Sequence, residues 1–134
     1  MIYGAPEGAD ARSIITRAQA AYETGHPHLH IARDDARLHQ LAELIAFFAP
    51  KAEIVTFPAW DCLPYDRVSP GGEVVAQRIA ALTRMLGWDN ARQTAARIVL
   101  TTVNAATQRV MPRSALADAA MRLQKGGTVD MDAL

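Results

Sequence analysis

The chain has a single cysteine, Cys62. That excludes an internal disulfide and any zinc site built from several thiolates. Aromatic residues make up only 6% of the 134 positions, and lysine occurs only at Lys51 and Lys125. The other basic side chains are arginines and form no run, and the 14 Lys and Arg balance the 14 Asp and Glu. A neutral chain lacks the overall field that draws a protein to nucleic acid. No apolar stretch approaches the roughly 18 residues a membrane span needs, and no secretory hydrophobic region opens the chain. Internal repeats and low-complexity segments are absent. The expectation is a cytoplasmic chain with a reduced thiol and no membrane contact.

What is present is core-forming material. Half of the residues are hydrophobic and 21% are charged, which excludes disorder as the organising principle. The length suits one α/β domain over residues 1–134. Met1–Gly4 reads as a short strand running into a Gly/Pro turn. Ala9–Tyr22 reads as a helix, with Ile14, Ile15, Ala18 and Tyr22 on helical spacing and Gly25 and Pro27 ending it. His28–Ala32 is expected as a strand. Asp34 caps a helix carrying Leu38, Leu41, Ile45 and Phe48, which Pro50 stops. Glu53–Phe57 is a third strand. Residues 58–72 are irregular yet apolar, and such loops are usually pinned. Glu73–Leu86 is helical, with Val75, Ile79, Leu82 and Leu86 on one side. Trp88–Ala96 reads as polar and exposed, Ile98–Thr102 as a strand and Val103–Arg109 as a short helix, with Pro112 in the first turn of another. Met121–Gln124 reads as a strand. Alternation of this kind implies a parallel sheet covered by helices on both faces. Asp130 is placed to cap a helix that stops after Met131–Leu134, so the expected domain is an incomplete piece of a longer protein.

Three segments invite chemistry. The first is the turn Gly4-Ala5-Pro6-Glu7-Gly8-Ala9-Asp10-Ala11, which sits where an α/β domain carries a phosphate loop. Such a loop reads G-x-x-x-x-G-K-[ST], with the lysine on the β and γ phosphates and the hydroxyl on magnesium. Counted from Gly4, the second glycine is Ala9, the lysine is Asp10 and the hydroxyl residue is Ala11. A carboxylate where the ammonium belongs reverses the sign of the interaction, so Gly4, Gly8, Ala9, Asp10 and Ala11 form a degenerate loop with no cofactor expected. The second segment runs from Phe57 to Pro70. It holds two carboxylates, an arginine and Cys62, but no neighbouring histidine or lysine activates the thiol. It reads as a loop anchored by Trp60, Leu63 and Tyr65, with Asp61 or Asp66 bonding to backbone or to Arg67. The third is His26, His28 and His30, with Asp34, Asp35 and His39 only loosely placed as further ligands. The expectation is no metal site and no catalytic residue.

A resemblance rests on these same residues. Gly4-Ala5-Pro6-Glu7-Gly8, His30-Ile31-Ala32-Arg33-Asp34, Phe57 to Pro70, Gln77-Arg78, Thr101-Thr102-Val103-Asn104-Ala105 and Gln108-Arg109 follow one another at the spacing of the first part of bacterial transcription-repair coupling factors (Mfd). The most specific stretch is Trp60, Asp61, Leu63, Pro64, Tyr65, Asp66, Ser69 and Pro70, whose role is read as structural. The resemblance implies a first domain of P-loop NTPase type, similar to that of the repair helicase UvrB, with its nucleotide motif lost. It implies a non-catalytic scaffold within a DNA-repair translocase that displaces stalled RNA polymerase and recruits UvrA for nucleotide excision repair. ATP and magnesium then belong to a separate motor, and UvrA, RNA polymerase and DNA are partners through the parent protein. The UvrA-contacting part is expected beyond Leu134. Two other functions compete: a P-loop enzyme binding nucleotide through an unusual loop, and a stand-alone protein-binding module using Trp60 and Tyr65.

Overall fold

A computed structural model describes residues 6, 8–62, 69–89 and 92–120 of the chain. The expected strands at Met1–Gly4 and Met121–Gln124 and the turn of helix after Asp130 lie outside the described residues.

The first helix, α1 (Ala9–Glu23), starts from Gly8, whose φ of 88° is left-handed and suits a residue without Cβ. It ends where the Thr24 hydroxyl donates to the Ala21 carbonyl at 2.9 Å and Gly25 turns the chain at φ 76°. The strand β1 (His28–Ala32) follows. Asp34 then caps α2 (Asp35–Phe48), its carboxylate accepting the Arg37 N–H at 2.8 Å. After Pro50 comes β2 (Glu53–Phe57). The remaining elements are α3 (Gly72–Gly87), β3 (Arg97–Thr102), α4 (Val103–Thr107) and α5 (Arg113–Ala119).

The sheet is parallel in the order β1-β3-β2. Among the described residues the last strand in sequence is therefore the middle one, and all six of its residues are buried. Alternation divides them between the two faces. Ile98 and Leu100 join the larger core with Ala11, Ile14 and Ala18 of α1 and Leu38, Leu41 and Ile45 of α2. On the opposite face Val55 and Phe57 of β2 pack with Ala81 of α3 and Ala105 of α4. Register pairs Ala32 with Thr102 and Phe57 with Thr101, so the three strands end together. On β1, Ala32 is buried, but Leu29 and Ile31, pointing to the other face, are exposed.

Three readings of the pattern need correction. On α3 the buried residues are Arg78 and Ala81, with Leu82 and Met85 beside them, while Ile79 is 47% exposed. The helix is rotated from the expected apolar stripe because Arg78 is drawn into the interior. Trp88 is not part of an exposed polar stretch. It packs against the smaller core, and the Arg97 guanidinium lies 5.2 Å from its ring centroid. Phe48 and Tyr22, expected on buried faces, sit near the ends of α2 and α1 and are exposed.

Beside Trp88, Glu53 gathers two cations, at 2.9 Å from Arg84 and 3.4 Å from Arg97. Burial pulls the Glu53 carboxyl up, but the nearby Trp88 side chain, the bond from Arg84 and the charges of Arg84 and Arg97 outweigh it and leave its pKa lowered, although the buried Trp88 ring N–H makes no hydrogen bond of good geometry among the described residues. The Glu53 side chain thus ties the start of β2 to α3 and β3.

Leu100 is wholly buried in the larger core. Leu100→Ala removes its methyl groups where neighbours on two helices cannot both close in, and is expected to cost about 2–5 kcal/mol. Urea unfolding followed by circular dichroism checks this. A loss no larger than that of the exposed Ile79→Ala would show the core to be assigned to the wrong face.

Candidate functional site

Parallel strands that end together place all their following turns on one side of the sheet, the side where open α/β sheets carry their sites. Two of the segments singled out in the sequence converge there.

The first surrounds the start of α1. Ala11 is wholly buried in the core, while Asp10 stands half-exposed at the helix entrance. One Asp10 carboxylate oxygen accepts the Ala11 N–H at 2.9 Å, and the other takes an ion pair from Arg37 of α2. Partial burial pulls the Asp10 carboxyl up, but the Arg37 bond and charge and the backbone N–H outweigh it, so its pKa is lowered. Asp10 is thus an anion that already has its cation. Gly4 lies outside the described residues, and Gly8 and Ala9 form the turn and first residue of the helix.

The second surrounds the end of β2. Arg78, reaching in from α3, is only 2% exposed. Its guanidinium lies 4.2 Å from the centroids of both the Phe57 and Trp60 rings. Its Nη1 donates to the Pro58 carbonyl at 2.6 Å and to Gln108 Oε1 at 3.1 Å. The same Gln108 oxygen accepts the Trp60 N–H at 2.9 Å. The Thr101 hydroxyl of β3 donates to the Phe57 carbonyl at 2.9 Å. Among the described residues Arg78 has no carboxylate partner. Burial pulls its pKa down from the ordinary arginine value, yet an arginine remains charged at any physiological pH. Two carbonyl oxygens and two ring faces stabilise that charge.

Asp61 closes the segment. Its two carboxylate oxygens accept the Gly71 N–H at 3.1 Å each. This is the bond to backbone expected of Asp61. A Cβ at position 71 would stand 2.7 Å from Asp61 Oδ2, so glycine permits the approach. Ser69 is exposed, Pro70 is half-buried and Cys62 is half-buried with a free thiol. Leu63, Pro64, Tyr65 and Asp66 lie outside the described residues.

The histidines behave differently. His28 and His30 share one face of β1 beneath α1, while His26 lies exposed in the preceding turn and contacts the Thr24 hydroxyl at 3.3 Å. Asp34 is used as a helix cap, and the His39 ring contacts the Asp35 carbonyl at 2.7 Å. Among the described residues no three His, Cys, Asp or Glu side chains gather to hold a metal, and no helix is long and apolar enough to cross a membrane.

Sequence reasoning did not assign roles to Arg78, Gln108 and Arg37. The signal for Arg78 was its place on the α3 face, three before Ala81 and four before Leu82. Gln108 and Arg37 had no local signal, because their partners are 48 and 27 residues away.

No family model matches the chain, and no solved structure matches it. Two curated relatives do. The transcription-repair-coupling factor of Escherichia coli (strain K12) is 26% identical over 133 residues, 99% of this chain and 11% of the relative. That of Rickettsia prowazekii (strain Madrid E) is 33% identical over 58 residues, 43% of this chain and 5% of the relative. The resemblance read in the sequence is thus upheld, and the chain spans about a tenth of the length of the first of these relatives.

Trp60→Ala removes one face of the Arg78 stack and opens the half-buried site to water. The expected loss is about 1.5–3 kcal/mol, read as a lowered urea midpoint. A change within about 0.5 kcal/mol, the usual size for surface substitutions, would mean that the ring does not brace the loop.

Proposed function

We propose that this relative of the transcription-repair-coupling factors is a non-catalytic scaffold module with a UvrB-like, P-loop-type domain whose nucleotide loop is degenerate. In this reading ATP and magnesium serve a motor elsewhere in the parent protein. UvrA, stalled RNA polymerase and DNA are met through that parent during transcription-coupled nucleotide excision repair.

The observation that carries the reading is the closed ion pair at the α1 entrance. A polyphosphate bound there would have to displace Asp10 from Arg37 and the Ala11 N–H, or sit against its negative charge. The buried Ala11 offers a methyl to the core where a magnesium-binding hydroxyl is required. The second cluster supports the same reading. Arg78 is enclosed by rings and carbonyls, with its charge spent on holding a loop in place rather than presented to a ligand.

Calorimetric titration of the chain with ATP in the presence of magnesium is expected to give no saturable heat. Micromolar binding would favour the competing nucleotide-binding enzyme. Asp10→Ala, which frees Arg37 and removes the carboxylate, is expected to leave the result unchanged, because neither the lysine nor the hydroxyl is restored.

A further inference from the structure

We propose that the seam between α1 and β1, an outer strand of the sheet among the described residues, is an acid-sensitive joint, in which uptake of protons by His28 and His30 loosens α1 from the sheet. The period-two alternation of β1 turns His28, His30 and Ala32 to the face that α1 and α2 cover. Ala32 is buried, and the two imidazoles are half-buried in the cleft before it. The cleft has a volume of about 410 Å³ and is lined on the helix side by Asp10, Ser13, Ile14 and Arg17.

The charges around the two rings are unequal. Arg17 and Asp10 approach from α1 and Arg37 from α2. On β3 the register partners are Ile98 and Leu100, and α4, which also touches β1, has no titratable side chain. Among the described residues the one carboxylate acting on these rings, Asp10, is already engaged by Arg37 and the Ala11 N–H. A proton on His28 therefore enters a partly dry cleft beside the Arg17 guanidinium, and a proton on His30 meets His28, Arg37 and Arg17, with Asp10 opposing.

Partial burial, with the Arg17 charge behind it, holds His28 below the ordinary imidazole value of 6.5. Partial burial first, then His28, Arg37 and Arg17, do the same for His30, with Asp10 opposing. A base whose folded-state pKa is lowered takes up its proton more readily when unfolded. The stability it contributes is full above about 6.5 and is lost as the pH falls from there toward the folded values. The carboxyls of Asp10, Asp34 and Glu53, all lowered, stay ionised across this range. Loss there thus isolates the imidazoles from acid titration of these pairs.

The test compares urea midpoints of the 134-residue chain at about pH 7.5 and about pH 5.5, the range in which imidazoles titrate. The wild-type midpoint is expected to fall. Most of that fall should vanish in His28→Gln/His30→Gln and persist in the control His26→Gln. Amide exchange corrected for intrinsic rates should accelerate in Ala9–Glu23 and His28–Ala32 more than in Glu53–Phe57. Proton NMR titration of the two rings in the wild-type protein provides a readout independent of how the variants fold. Ring titrations at or above the ordinary value, or equal losses in wild type and double variant, would overturn the proposal.

Discussion

The sheet depends on β3. A parallel strand hydrogen-bonded on both sides and covered on both faces has no polar surface left to solvate, so every backbone group must find its partner in β1 or β2. Those partners are supplied in register from His28 to Ala32 and from Glu53 to Phe57. The helices then follow from the side chains: Ile98 and Leu100 need the α1–α2 layer, and the opposite face needs α3 and α4. Among the described strands β3 comes last in the chain, so the pairings it makes with β1 and β2 wait until Arg97–Thr102 is in place. The sheet forms late and through contacts distant in sequence, the kind that slow folding.

The buried arginine on the far face is a second constraint and an expensive one. A guanidinium out of water that finds no carboxylate among the described residues recovers its lost solvation from dipoles and π-faces. Phe57, Trp60, the Pro58 carbonyl and Gln108 are that recovery, and they come from two stretches of chain that Arg78 of α3 joins. Arg78 makes the position of each stretch conditional on the other. An apolar residue of similar size would fill the space without demanding that geometry. The arrangement therefore specifies where the chain leaves β2 more sharply than packing alone.

Much of this was legible because the punctuation was strong. Pro50 and Gly25 fix helix ends through the backbone torsions available to them, and β1 and β2 begin and end where the β-branched residues and turn signals place them. Asp34 was readable as a cap for the same local reason. The order of strands was not, since hydrophobic alternation states that a strand is half-buried and not which neighbour covers it. The α3 face was misread because an apolar count gives Arg78 no weight in the interior. Trp88 was misread because its surroundings in sequence are polar while its surroundings in space are not. At the start of α1 the carboxylate of Asp10 was visible in the sequence as a first-turn acid. The Arg37 that balances Asp10 was not, because ion pairs across two helices leave no spacing to count.

The Asp61–Gly71 clasp has a consequence for how this stretch of chain can change over time. The two ends of residues 62–70 are held together by atoms outside the segment itself. The cost of lengthening a loop whose ends are already joined grows only logarithmically, by about 0.6 kcal/mol for each doubling. Loop closure therefore puts little constraint on the length between Cys62 and Pro70, and the motif spacing kept there answers to something other than closure, whereas substitution of Asp61 or Gly71 releases both ends at once. The two gateposts, more than the length between them, hold the chain where it leads into α3.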